Sequence, residues 1–258
     1  TQHARTIVED TGRKQRDSEY QRRIPPSEMG GIAGGEKFCV DGILFKLARD
    51  THLRSGGWLY GVHTRRDDFA RKSAAHELKG LQACMVHQHL GFRVPFIARI
   101  DIGGYSLTAT SLLPIQGRES LVYGSADGGK NVFGCSHDPE AGAIMEALAG
   151  ELGLGAMELK NGERVFGPVD IEVHRSKVDG CLYLLDFARL FPPESTSNLH
   201  LRGRQSLFRL LHAQLVQRFP EPIISDALSG FTRLAGMMMM KLDLLWCECL
   251  HESEEVSE

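Results

Sequence analysis

The spacing of apolar and polar positions changes along the chain. The first half contains short β-type runs, and two pairs of them are separated by Asp41-Gly42 and by Gly103-Gly104. These dipeptides favour the positive φ that tight hairpin turns require, so both pairs are predicted β-hairpins. The hairpin strands are predicted at 38–40 with 43–45 and at 96–102 with 105–113, and a further short strand is predicted at 58–62.

Helical spacing of apolar residues predicts a long helix between the two hairpins, over 67–90, and Gly91 is a typical residue at a helix C-terminus. Asp138 and Pro139 predict the N-cap and first turn of a second helix that runs to about Leu152. Further helices are predicted near 205–218 and 234–251, a Gly-rich loop over 117–137, and a small hairpin at 158–166.

Strands and one helix therefore precede a mainly helical part, and this order predicts an α+β fold rather than a doubly wound parallel sheet. We expect two lobes, a sheet-rich one at 29–114 and a helix-rich one with short hairpins at 115–251. The boundary is placed at Pro114, because proline lacks the N–H that a strand needs. A charged N-terminal arm at 1–28, helical or extended and exposed, and an acidic tail at 252–258 complete the predicted organisation.

The composition is that of an ordinary soluble protein, with 258 residues, 42% of them hydrophobic and 24% charged, and a formal charge of -3. No apolar run is long enough to cross a bilayer. The slight excess of acid gives little support to a broad basic surface for nucleic acid. Six scattered cysteines favour free thiols in a reducing compartment such as the cytoplasm. Since the first residue is Thr1, we expect a processed product or a part of a longer protein.

Asp186 stands out because it ends an apolar, strand-like run at 181–185 and is followed by Phe187. A carboxylate at the end of a buried strand is costly unless it is paired, hydrogen-bonded or bound to a cation. Two interpretations stay open. Asp186 is either a capping or ion-paired loop residue, or an acid that binds a metal or lies beside a phosphate.

Asp170, Glu172 and His174 alternate with Ile171 and Val173. On a strand all three polar side chains would project from one face. Such a set could bind a divalent ion or exchange protons, and a solvated strand face is the alternative interpretation.

Three blocks in order resemble the Clu domain of the clustered-mitochondria protein family. They lie at 111–115, 121–130 and 179–194, and a further similar run follows at 218–226. Members of that family are cytoplasmic eukaryotic proteins, usually much longer, that influence mitochondrial distribution and associate with messenger RNAs for mitochondrial proteins. The resemblance implies a binding or scaffold module with protein partners, and with RNA as a further partner. It implies no catalytic residues.

The order of elements is also similar to that of protein kinases, in which a Lys–Glu pair holds phosphates and a strand-end Asp binds Mg²⁺. On this mapping Lys46 and Glu77 bind the cofactor, Asp170 is the catalytic acid, placed in a polar loop to orient the hydroxyl, and Asp186 with His174 binds the metal. The chain departs from the kinase pattern because no G-x-G-x-x-G hairpin precedes Lys46 and no H-R-D motif surrounds Asp170.

Two function classes follow. The leading hypothesis is a Clu-type binding or scaffold module, for which the sequence identifies no cofactor. The alternative is a phosphotransferase that uses ATP and Mg²⁺, or a nucleotide-binding pseudokinase. The two differ in whether Lys46, Glu77, Asp170 and Asp186 converge on one cleft.

Overall fold

The structure is a computed structural model that describes residues 1–27, 35–53, 56–159, 161–194 and 207–226. Its helices are α1 (Gln2–Arg16), α2 (Asp67–Met85), α3 (Pro139–Leu152) and α4 (Ala213–Val216). Its strands are β1 (Lys37–Val40), β2 (Ile43–Leu47), β3 (Phe92–Arg93), β4 (Ile97–Ile102), β5 (Tyr105–Ser111), β6 (Leu121–Gly124), β7 (Ala156–Glu158), β8 (Arg164–Phe166), β9 (Glu172–Arg175) and β10 (Leu182–Leu185). The predicted α+β class is confirmed.

The N-terminal sheet is antiparallel, with strand order β1-β2-β5-β4. Both predicted hairpins are present. Asp41 and Gly42 have φ values of 50° and 73°, as a two-residue turn between twisted strands requires. This turn sets the register of β1 against β2, which places Lys37 directly opposite Lys46.

Helix α2 confirms most of the helix predicted over 67–90. After Met85 the chain makes a separate 3-10 turn at Gln88–Leu90 and then reaches Gly91, which has a left-handed φ of 106°. The buried face of α2 includes small residues such as Ala70, Ser73 and Gly80. The absence of a side chain at Gly80 lets the helix pack closely against Phe187, in the short 3-10 turn that follows Asp186.

Helix α1 forms within the charged segment 1–28, but it is not an exposed arm. Ala4, Ile7 and Val8 are buried in a cluster with residues of the N-terminal sheet, among them Phe38 and Phe45. These three positions have helical spacing and give α1 one apolar face. The expectation of an exposed segment was wrong because most of the charges lie on the other faces of the same helix, while this face is covered by the sheet.

The second sheet has the order β3-β10-β9-β6, and β3 pairs parallel to β10 while the other pairs are antiparallel. Strand β6 lies within the segment predicted as a Gly-rich loop, so that prediction was wrong there: Leu121 and Tyr123 are buried and pair with β9. The main apolar core joins this sheet to α3.

Helix α3 and the β7–β8 hairpin were predicted correctly. The Asp138 carboxylate caps α3 by accepting a hydrogen bond from the Ala141 N–H at 3.0 Å, and Gly153 ends the helix with a left-handed φ of 71°. Both ends of the helix therefore have the residues that satisfy its unpaired backbone groups.

Two predicted elements differ in the structure. The run 58–62 forms a tight turn with isolated bridges rather than a strand, because the Asp50 carboxylate binds the N–H groups of Tyr60 and Gly61. In the described part of 205–218, α-helix is confined to α4, and Leu210 forms an isolated β-bridge with Pro193. The helix predicted at 234–251 and the acidic tail lie outside the described residues.

The residues described in the structure include no helix that is both long and apolar enough to cross a membrane. The boundaries proposed at residues 28, 114 and 251 stay predictions.

Candidate functional site

A cavity of about 150 Å³ lies between the N-terminal sheet, α2 and the turn after β10. Lys46, Glu77, Asp170 and Asp186, which the kinase-type mapping selected from the sequence, all line it. They come from β2, α2, the turn before β9 and the end of β10, so sequence-distant elements converge here. We name this space the central cavity.

Lys46 projects from β2 into the central cavity, whereas its neighbours Phe45 and Leu47 are buried on the opposite face. Its Nζ lies 3.9 Å from Oδ1 of Asp186. Loss of contact with water would lower the pKa of Lys46, but the nearby carboxylates, Asp186 foremost, outweigh that effect and raise it. The ammonium group is therefore retained as a cation in the cavity.

Asp186 occupies a left-handed backbone conformation, with φ 61° and ψ 61°, directly before the 3-10 turn Phe187–Arg189. This region is uncommon for residues other than glycine, although aspartate tolerates it better than most. Burial raises the pKa of Asp186 to about 7, an effect that Lys46 opposes and that the negative charge of Glu77 reinforces. Lys46 is thus the cationic partner that a carboxylate at the end of a buried strand was expected to need.

Glu77 faces the same cavity from α2 but does not form the expected ion pair with Lys46. Among the described residues, Lys46 forms its ion pair with Asp186 instead. Burial raises the pKa of Glu77, while Lys46 and hydrogen bonds from the backbone N–H groups of Phe187 and Ala188 act against that rise. Glu77 therefore lies close to the turn that carries Asp186.

Asp170 lines the cavity from the turn before β9, so it does not share a strand face with Glu172 and His174, and it lies outside the strands as in the kinase-type order. Arg189 holds it through Nη2 to Oδ1 at 2.7 Å and Nε to Oδ2 at 2.9 Å. The same guanidinium pairs with the buried Asp226 at 2.7 Å. Both oxygens of Asp170 are thus engaged by a cation, which suits a structural role and disfavours a free general base.

His174 does not line the central cavity. It is buried on β9 with 1% of its surface exposed, and hydrogen bonds join its Nε2 to Glu172 at 2.9 Å and its Nδ1 to Ser120 at 3.1 Å. The two residues mapped as metal ligands, Asp186 and His174, therefore do not meet there. Within the described ranges, no group of three or more His, Cys, Asp or Glu side chains is arranged to hold a metal ion.

Lys37 is the cavity residue that the sequence reasoning missed. It is buried on β1 and directly opposite Lys46. Burial and the charge of Lys46 lower the pKa of Lys37 to about 8, against the opposite effect of Asp186. The sequence contained the information needed to find Lys37, because the Asp41-Gly42 turn fixes which residues of the two strands are opposite each other.

The model of the Clustered mitochondria (CLU) family matches residues 1–196. The chain belongs to this family. The match includes both sheets, α1 to α3 and every residue that lines the central cavity. No curated protein and no solved structure matches the chain.

In this CLU-family chain, the loop Asp127-Gly128-Gly129-Lys130 resembles a phosphate loop only in composition. The Asp127 carboxylate accepts hydrogen bonds from the N–H groups of Lys130 and Asn131 and from the Ser125 hydroxyl. These bonds, those from Asn131 foremost, hold its pKa well below the usual range. Backbone N–H groups that could bind a phosphate in this loop donate to the Asp127 carboxylate instead. The central cavity is therefore the better candidate for a phosphate site.

Proposed function

We propose that this chain is a binding or scaffold module of a cytosolic, eukaryotic clustered-mitochondria protein that acts in mitochondrial distribution. The proposal is supported by the family match over residues 1–196, which covers most of the described fold. Protein partners are the primary ligands in this proposal. Messenger RNAs are a second class of partner, implied by the family resemblance.

The test is complementation in cells that lack the endogenous family member. The full-length protein should restore a dispersed mitochondrial network, and the same protein without residues 1–226 should not. Crosslinking of RNA to the purified chain reports on the second class of partner. Normal mitochondrial distribution without the module would contradict the proposal.

A second candidate function is nucleotide binding in the central cavity. The observation that favours it is the 3.9 Å approach of Lys46 to Asp186, with Glu77 and Asp170 lining the same space. In this proposal Lys46 contacts phosphate oxygens, Asp186 holds Mg²⁺, and Glu77 positions the turn that carries Asp186. Phosphoryl transfer relies mainly on such positioning and on charge stabilisation.

Binding is better supported than catalysis. Arg189 engages both oxygens of Asp170, so a general base is not ready at that position. The cavity of about 150 Å³ is also smaller than ordinary ligand pockets, which measure roughly 300–1,000 Å³. It accommodates the phosphate end of a nucleotide, and the sugar and base would lie outside it.

Thermal unfolding with ATP and Mg²⁺ tests this candidate. A ligand at a hundred times its Kd adds about 2.7 kcal/mol to the free energy of unfolding. Asp186→Asn and Lys46→Met should remove that gain, while Lys130→Met, in the exposed loop, should keep it. An unchanged melting temperature with the wild-type chain would exclude nucleotide binding. ATP turnover that Asp186→Asn abolishes without unfolding the chain would add catalysis.

A further inference from the structure

The charges around the central cavity are separated by sign. Lys37 and Lys46 belong to adjacent strands of the N-terminal sheet. Glu77 and Asp186 belong to α2 and to the turn after β10. The sheet therefore contributes the cations and the facing elements contribute the anions. Asp170, also on the facing side, is paired with Arg189, which it shares with Asp226.

The two lysines are a directly opposed cross-strand pair. Side chains in such a pair have their Cβ atoms about 4.5–5.5 Å apart, and like charges there repel. Lys37 is 5% exposed, so water screens this repulsion poorly. An anion that contacts both ammonium groups would relieve it.

The Lys46 ammonium and the Asp186 carboxylate do not form a tight ion pair. Lys46 and Asp186 are separated by 3.9 Å, beyond hydrogen-bond distance, whereas Arg189 contacts both of its carboxylate partners at 2.7 Å. The Lys46–Asp186 pair is thus looser than the pairs that Arg189 makes, and both of its residues line the central cavity. Its volume of about 150 Å³ equals that of about five water molecules.

An occupant of this space must present negative charge to the lysines and positive charge to Asp186 and Glu77. A phosphate group alone would be repelled by the carboxylates, and a cation alone by the lysines. A phosphate chain with bound Mg²⁺ meets both requirements, because Mg²⁺ typically takes one or two carboxylates together with phosphate oxygens.

We propose that the central cavity recognises the phosphate chain of a polyphosphate–Mg²⁺ complex, with Lys37 and Lys46 as a two-ammonium seat for one phosphate group and Asp186 as the protein ligand of the metal. This inference rests on the nucleotide-binding candidate and defines its ligand class. Since the base lies outside the cavity, ATP, GTP and inorganic tripolyphosphate should bind with similar affinity. Lys37 is the residue that this inference adds to the proposed phosphate-binding site.

The experiment compares ligands on the full 258-residue chain by thermal shift and titration calorimetry. Tripolyphosphate, ATP and GTP, each with Mg²⁺, should have Kd values within tenfold of one another, and adenosine should not bind. Omission of Mg²⁺ should weaken each polyphosphate at least tenfold. Lys37→Met should do the same, and Lys130→Met should have no effect.

The outcomes separate this inference from the candidate on which it rests. Binding of ATP without tripolyphosphate, or Lys37→Met binding as tightly as the wild type, would overturn the phosphate seat and leave nucleotide binding intact. Failure of all three polyphosphates to bind would overturn both. If Lys37→Met does not fold, the comparison of ligands with the wild-type chain decides the inference by itself.

Discussion

Replacing Gly80 with alanine tests whether α2 packs against the turn that carries Asp186. A Cβ at Gly80 would lie 2.4 Å from the backbone oxygen of Phe187 and 2.7 Å from its Cβ. Both distances are far shorter than an ordinary van der Waals contact. Because one of the obstructing atoms belongs to the backbone, the added methyl group requires the turn or the helix to move.

Two opposing effects determine how much Gly80→Ala changes the free energy of unfolding. Alanine in place of glycine within a helix stabilises by roughly 0.5–1 kcal/mol. Overpacking of a tight contact typically costs about 1–3 kcal/mol, and the 2.4 Å distance argues for the upper part of that range. We expect Gly80→Ala to lower the free energy of unfolding by about 2 kcal/mol, which corresponds to a fall in Tm of about 4–8 °C for a chain of this size.

Gly150 provides a matched control, because it is exposed in α3 and a Cβ there would meet nothing within 4 Å. Gly150→Ala should gain the helix-propensity effect alone and raise Tm by about 1–4 °C. Circular dichroism at 222 nm during heating measures both variants. The two identical substitutions should shift Tm in opposite directions.

A Gly80→Ala chain that melts at or above the wild-type temperature would refute the reasoning. Close packing of α2 on Phe187 would then not limit the fold, and the position of Asp186 beside Glu77 would lose its structural basis. Hydrogen exchange gives an independent reading, since the amides of the turn should exchange faster in Gly80→Ala and unchanged in Gly150→Ala.

Three further substitutions have defined outcomes. Asp10→Asn should destabilise by about 1–3 kcal/mol at pH 7, because the buried carboxylate accepts hydrogen bonds from the Arg23 backbone and side chain. Burial would raise the pKa of Asp10, but these bonds hold it below its usual value. Its contribution is thus present above about pH 3.9 and lost as the pH falls through the lowered pKa, so acid titration should bring wild type and variant together. Asp138→Ala should cost about 0.5–2 kcal/mol in chemical denaturation through loss of the α3 N-cap, and Asp138→Asn should lose less. Leu148→Ala, in the main core, should cost about 2–5 kcal/mol, and a cost below 1 kcal/mol would contradict its 1% exposure.

Local structure could be predicted where neighbouring residues decide it. The Asp41-Gly42 and Gly103-Gly104 turns selected hairpins through their backbone preferences, and Asp138 with Pro139 started α3. Each signal acts within a few residues and is present before the chain folds. The prediction that Asp186 needs a partner belongs here too, since it followed from the cost of an unpaired acid at the end of a strand.

The errors came from interactions between distant segments. Strand β6 lies in a Gly-rich segment, and its pairing with β9 decides its conformation more than its own composition does. Helix α1 appeared exposed because the sheet that covers its apolar face follows later in the chain. The alternating pattern at 170–174 allowed Asp170 on a strand face, whereas the kinase-type order placed it in a loop; in the structure it lies in the turn before β9, paired with Arg189.

For the candidate site, the sequence by itself determined which residue types were available, that Lys46 lies on a strand, and that Asp186 lies at the end of one. The tertiary structure alone brought Lys37, Lys46, Glu77 and Asp186 around one cavity and left His174 outside it. The physical reason is that the surroundings of these side chains depend on the packing of α2 against the turn after β10, a contact between Gly80 and Phe187, which are far apart in the sequence. Charge separation around a cavity is a property of that packing and has no counterpart in the linear order of residues.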